Sequence, residues 1–235
     1  MSDLINRCFK PGSTGRWIIS GFHHSPVRFA FALLGSLVYT RRLCGSFWPI
    51  KVRVAAGQGF HVSCASRRNV RIEGILSINS WLGSSSPSSL NIGAGSRFIV
   101  SGDFEIGPGV HILVAPGGSL KIGGRLDSSA SGITCDSRIM VEQSVEIGYD
   151  CIVAWNVFIS DSDWHDISGV KRNSPVIIGN KVWISHGASI LKGAIIPSGC
   201  IIGAGSLVSS VIDSEKALVV GIPAVVKRTG VEWSR

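Results

Sequence analysis

The sequence predicts an all-β fold: a triangular solenoid wound from six-residue repeats, with a non-repeat N-terminal cap, an extruded loop and a short C-terminal extension. Three observations predict it. An aliphatic residue recurs at every sixth position through Ile178, Ile184, Ile190, Ile196, Ile202 and Val208. The fourth residue after each of the first five is small or short: Val182, Ala188, Ala194, Cys200 and Ser206. Finally, 29 glycines in 235 residues, with abundant Ile, Val and Ser and only two Met, suit short strands joined by tight turns. A period of six fits neither an amphipathic helix nor a simple alternating strand. It fits a coil in which each hexapeptide supplies one flat side and one corner. The aliphatic residue points inward and the small residue sits where the backbone turns. Three hexapeptides, about 18 residues, close one coil, and the parallel strands of successive coils stack about 4.8 Å apart.

The first element is a cap over residues 1–60, where no repeat is visible. Residues 1–72 hold 11 Lys and Arg against one acid, Asp3, whereas the remainder holds 12 bases against 14 acids. Within the cap, Val27 to Tyr39 (VRFAFALLGSLVY) is apolar but contains Arg28 and Gly35, and it falls short of the ~20 residues of a membrane span. It reads as a short helix docked on the body. Arg28, Arg41 and Arg42 lie around it. Two roles therefore stand open: peripheral contact with an anionic membrane or glycan, and a plug on the open end of the solenoid. The start, MSDLINRCFKPGS, lacks the apolar stretch of a signal peptide. Cys8, Cys44, Cys64, Cys135, Cys151 and Cys200 lie far apart without a C-x-x-C pair, which reads as reduced thiols in a cytoplasmic protein rather than a zinc or disulfide framework. Low charge content, 16%, and 45% apolar residues exclude global disorder. The basic excess comes without an aromatic–basic motif, so no nucleic-acid partner is expected.

The second element is the solenoid, residues 61–211. Upstream of the main run the phase recurs in Val141, Ile147, Val153 and Ile159, and less regularly in Ile92 with Phe98 and Ile106 with Ile112. Ile-Gly pairs at 92–93, 106–107, 147–148, 178–179 and 202–203 place glycine where a corner needs positive φ or close approach. The phase breaks twice. The step from Ile159 to Ile178 is one position longer than three hexads, so the polar stretch SDSDWHDISGVKRNSP, residues 160–175, is expected to loop out between coils. Such loops on rigid scaffolds carry function. Ile122 to Val141 contains DSSASGITCDS and reads as a degenerate coil. The last element, residues 212–235, leaves the phase and forms the extension.

Residues 141–228 resemble the hexapeptide-repeat acyltransferases through IGNKVWI, GAGS and GIPA. With DSDWH, ILKGAIIP and a closing VEWSR, the resemblance is closest to bacterial capsular and exopolysaccharide O-acetyltransferases. It implies a left-handed β-helix, a homotrimer with sites between subunits, acetyl-CoA as co-substrate without a metal, and a carbohydrate acceptor. It also implies roles. His165 is the general base, and Asp163, two residues earlier, would orient it. Asn156 would bond the acceptor sugar. Trp155, where relatives carry a small residue or proline, either stacks on a sugar ring or covers a coil edge. Trp183 would lie beside the thiol arm of the coenzyme, His186 near its edge, and Ala204 and Gly205 along its pantetheine. Lys227 and Arg228 would face the nucleotide phosphates. The chain departs from the family at Ala224 and Val225, where relatives often carry a base.

The chemistry is consistent with these roles. A sugar hydroxyl must lose its proton as it attacks a thioester, and imidazole exchanges protons near neutral pH. No Ser or Cys sits in a recognisable nucleophile elbow, which favours direct transfer. The same parts could N-acetylate an amino sugar. A non-catalytic solenoid scaffold is the alternative of another class, and it would not need the His165 loop. A γ-type carbonic anhydrase would require three zinc-ligating histidines, and the close His pair is absent.

Overall fold

The computed structural model describes residues 25–80, 86–127 and 131–234. Cys8, His23, His24 and the first basic residues of the cap lie outside them. A helix, α1 (Pro26–Cys44), precedes a stack of parallel coils. The first coil is β1 (Val52–Val54), β2 (Phe60–Cys64) and β3 (Val70–Ile72). The second is β4 (Leu76–Ile78), β5 (Ser88–Ile92) and β6 (Arg97–Val100). The third is β7 (Phe104–Ile106), β8 (His111–Val114) and β9 (Ser119–Ile122). The fourth is β10 (Gly132–Ile133), β11 (Arg138–Val141) and β12 (Ser144–Ile147). The fifth is β13 (Ile152–Val153), β14 (Phe158–Ser160) and β15 (Val176–Ile178), and the sixth β16 (Trp183–Ile184), β17 (Ser189–Ile190) and β18 (Ile195–Ile196). The stack closes with β19 (Ile201–Ile202), β20 (Leu207–Val208), β21 (Leu218–Gly221) and the antiparallel β22 (Ala224–Arg228).

From β4 to β20 each strand pairs with the strand three positions earlier, and β21 continues the first side on β19, which gives a prism with three sheet sides of nine, seven and six strands. Side one collects the first strand of each coil, side two the second and side three the third. The predicted hexad positions line the interior. Ile184, Ile190 and Ile202 are fully buried, as are the corner residues Val182, Ala188, Ala194 and Cys200. The upstream phase is also internal, through Val141, Val153 and Ile159. Coils of three clean hexads occur only late in the chain, where Trp183 pairs with Ile201 and Ser189 with Leu207. Earlier coils are longer, as the pairing of Phe60 with Ser88 and of Arg138 with Phe158 shows. Most of their strands are longer too, and present two inward residues, such as Ile139 and Val141 on β11. The Ile-Gly glycines are there for close approach. A Cβ on Gly107 would lie 1.5 Å from the Thr134 carbonyl oxygen, and one on Gly148 would lie 2.5 Å from that of Gly179. No side chain fits between coils at those corners.

The ladder starts at Val52, inside the segment assigned from the sequence to the cap. Helix α1 lies across this first rung and satisfies it with hydroxyls. Thr40 Oγ1 accepts from the amides of Lys51 at 3.2 Å and Val52 at 3.0 Å, and Ser36 Oγ accepts from Val54 N at 3.0 Å. The Tyr39 hydroxyl donates to the Phe60 carbonyl. These are backbone groups that a first strand would otherwise leave unpaired. The helix enters through Pro26 at its first turn and stops at Gly45, φ 83°, whose N–H donates to the Arg41 carbonyl. Its inward face is Phe29, Ala32, Ser36, Thr40 and Leu43.

Candidate active site

The loop of residues 161–175 leaves the prism between β14 and β15, at the corner of sides two and three. Its root is Asp161, a fully buried carboxylate. One oxygen accepts from Glu142 N at 2.7 Å, and the other from Gln143 N at 2.7 Å and Ser144 N at 2.5 Å. The Asp161 carbonyl accepts from Ser174 N at 2.9 Å, so a single residue ties both ends of the loop to the coil below. Above it, Asp163 N donates to the Arg172 carbonyl at 3.0 Å, and a turn closes with Val170 N on the Ile167 carbonyl. Glu142 receives the Ser162 hydroxyl, Arg172 at 2.7 Å and Asn173 at 3.3 Å. These bonds, the one from Ser162 foremost, hold its carboxyl below the ordinary value.

Within this frame Trp164 adopts a left-handed backbone, φ 62°. Its amide donates to Ser162 Oγ and its indole N–H to Ser160 Oγ, both at 3.0 Å. Pinning the tryptophan turns the next residue, His165, out into solvent. No described residue hydrogen-bonds His165. The neighbouring carboxylates are engaged elsewhere: Asp163 pairs with Lys192 Nζ, and Asp166 lies 3.6 Å from Arg172. In the single chain, then, Asp163 and His165 are close in sequence but not bonded to each other.

A second group assembles at the corner between sides one and two. Five successive corners there take left-handed backbone at Gly109, Asp136, Asn156, Gly187 and Gly205. Asn and Asp tolerate this conformation best after glycine. The corners stack directly, with Gly187 N on the Trp155 carbonyl at 3.1 Å and Gly205 N on the His186 carbonyl at 2.9 Å. Exposed Trp155 packs on exposed His186, ring centroids 5.6 Å apart. Ala204 and Gly205 are exposed, and a Cβ on Gly205 would meet nothing within 4 Å, so the column ends in a smooth strip. Trp155, Asn156, His186, Ala204 and Gly205 are thus brought together.

Trp183 stands on the outer face of side one, 39% exposed, with its ring centroid 6.2 Å from that of Trp233. The Trp233 indole donates to the Lys181 carbonyl at 3.1 Å, which clasps the C-terminal segment over side one. Lys227 and Arg228 lie exposed on β22, the last strand of the same side. His165 is not brought to either group. Side two, whose strand β14 spans about 10 Å, separates its corner from the Trp155 column. Sequence reasoning missed Asp161, Glu142 and Lys192. Only a polar residue at an inward-facing position hinted at Asp161, and nothing in the sequence paired Lys192 with Asp163. Among the described residues no group of three His, Cys, Asp or Glu is gathered to hold a metal.

Residues 175–210 match the family described as bacterial transferase hexapeptide (six repeats). The chain is 38% identical over 130 residues to a polysialic acid O-acetyltransferase of Escherichia coli O1:K1 / APEC, a stretch covering 52% of this chain and 41% of that protein. The chain thus aligns with less than half the length of that relative. Among solved structures, the polysialic acid O-acetyltransferase OatWY overlaps at TM-score 0.41 and 17% identity, over 76% of this chain and 90% of that one. The polySia-specific acetyltransferase NeuO overlaps at TM-score 0.40 and 21% identity, over 79% and 89%.

Proposed function

We propose that this chain, a solenoid carrying the bacterial transferase hexapeptide repeat, moves an acetyl group from acetyl-CoA to a carbohydrate hydroxyl, with His165 as general base. The observation that carries the reading is the His165 loop. A solenoid needs no such excursion, yet a buried carboxylate and a pinned tryptophan hold it open with the imidazole free. The hydroxyl oxygen attacks the thioester carbonyl carbon. Its proton passes to an imidazole nitrogen of His165, the carbon–sulfur bond breaks, and the departing thiolate takes the proton. Residues Asn156 and Trp155 receive the sugar. The smooth strip at Ala204 and Gly205 suits a slender pantetheine chain, with His186 and Trp183 beside it and Lys227 and Arg228 toward the phosphates.

Because one chain keeps His165 and this column at different corners, the reading calls for a ring of three subunits. Each then offers its His165 loop to the next subunit's column. Asp163, held by Lys192, sets the height of the loop, and orients His165 once the neighbour closes the site. The acceptor class, a surface polysaccharide or its sugar precursor, follows the 38% identical relative. A cytoplasmic setting is part of the same reading. The test is turnover of acetyl-CoA with a panel of polysaccharides and nucleotide sugars. His165→Ala is expected to lower turnover roughly 10²–10⁴-fold with coenzyme affinity kept. Turnover at the wild-type level in that variant would overturn the assignment.

A further inference from the structure

Helix α1 has two faces, and the inner one is accounted for by its bonds to the first coil. The outer one carries Val27, Phe31, Leu34 and Val38, exposed by 56–71%. Their spacing of four, three and four forms one straight stripe. Just beyond the helix, Phe47 and Trp48 are exposed by 50% and 61%. Val38 and Phe47 also line a cavity of about 700 Å³, together with Arg41, Arg42 and Arg67. Arg41 stacks on Phe47, 4.9 Å from its ring centre, and Arg67 donates to the Arg41 carbonyl at 3.3 Å. These contacts fix the guanidinium groups without neutralising them. No ion pair among the described residues involves Arg28, Arg41, Arg42 or Arg67, and residues 25–72 contain no Asp or Glu.

We propose that this end of the prism docks on an anionic phospholipid bilayer. The apolar stripe enters the headgroup–acyl boundary, and the arginine-lined cavity takes a lipid phosphate. The inference is independent of the acetyl-transfer reading. An apolar stripe ringed by bases, with aromatic residues at its margin, is the composition of a helix that lies in a membrane surface. No described helix is long and apolar enough to cross a membrane, and Ser36, Tyr39 and Thr40 fasten α1 along the first coil. It therefore lies flat with the stripe outward. A soluble polyanion would use the arginines and leave the stripe in water. A second copy paired about a twofold axis would face Arg28 toward Arg41 and Arg42 with no acid between them.

Flotation of the full chain with vesicles tests this, using phosphatidylcholine alone and phosphatidylcholine mixed with phosphatidylglycerol, at about 0.05 M and 0.5 M salt. The protein is expected on the mixed vesicles at low salt, much less at high salt, and not on phosphatidylcholine. Millimolar inorganic phosphate should not release it, because the stripe holds it too. Phe31→Asp with Leu34→Asp should lower partition roughly 100-fold, and Arg41→Ala with Arg42→Ala about 30-fold. All four side chains point outward, so circular dichroism of both variants should match wild type. Four results would each overturn the proposal: no wild-type binding at low salt, binding unchanged by Phe31→Asp with Leu34→Asp, release by phosphate alone, or light scattering in which that double variant splits a larger assembly. The last would make the occupant a second copy.

Discussion

Asp161→Ala tests whether the loop is held by one buried carboxylate. The substitution strips three backbone amides, of Glu142, Gln143 and Ser144, of the carboxylate that accepts from them. Hydrogen bonds to a charged group are worth about 1.5–3 kcal/mol each, so the three together reach roughly 4.5–9 kcal/mol. Removing the carboxylate also removes its own desolvation penalty, several kcal/mol for a buried ion. The net expected loss is about 3–5 kcal/mol, a large part of the ~5–15 kcal/mol that typically holds a domain together. Urea unfolding followed by circular dichroism measures the loss. Hydrogen exchange locates it, because protection should fall first at those three amides and at Ser174. Asp161→Asn keeps one acceptor oxygen but sets an NH₂ against an N–H donor, so it should fall between wild type and Ala. A loss under about 1 kcal/mol, with protection at the three amides intact, would refute the reasoning.

Two further outcomes follow from the same geometry. If the site is shared between subunits, mixing His165→Ala chains with Trp183→Ala chains should restore activity that neither has alone, and light scattering should give three times the 24.9 kDa chain mass. No restoration on mixing, together with a monomeric mass, would contradict the ring. Thr40→Val removes the hydroxyl that accepts from Lys51 and Val52 while keeping its shape, and should cost about 1–3 kcal/mol of stability in the same urea assay. A neutral result would mean that other groups satisfy the first rung.

The hexad from Ile178 to Val208 was legible because every sixth side chain meets the same environment, the dry interior of the prism. The number of coil sides between Ile159 and Ile178 was not. Counting in sixes fixes the phase and says nothing about how many sides the chain has passed. Ile159 and Ile178 proved to lie on consecutive sides of one coil, and the excursion between β14 and β15 occupies the polar stretch that the sequence marks as residues 160–175. The early coils resisted reading because two inward residues per strand, as at Ile139 and Val141, blur a six-residue period into an alternation. The run VRFAFALLGSLVY showed that a helix was there but not which face pointed inward. The hydroxyls of Ser36 and Thr40 decided it, since they accept from the amides of Val54 and Val52 on β1. His165 stood out through its motif. Asp161 and Lys192 did not, because their partners sit about a coil or more away along the chain and only the winding of the solenoid brings them near.

The pairing pattern sets an order of construction. Every parallel strand beyond the first coil finds a partner in the coil made just before it, as β15 does on β12 and β21 on β19. During synthesis, α1 and the first coil emerge before the rest of the stack and offer a finished edge. Each later turn can be laid on that edge as it leaves the ribosome, and none has to wait for a strand not yet made. Assembly by accretion avoids the long closures that slow most all-β proteins and expose their unpaired edges. At any moment the sticky surface of the stack is its growing tip. It is blunted on one side at the end, when β22 folds back antiparallel against β21 and reverses the direction of the chain.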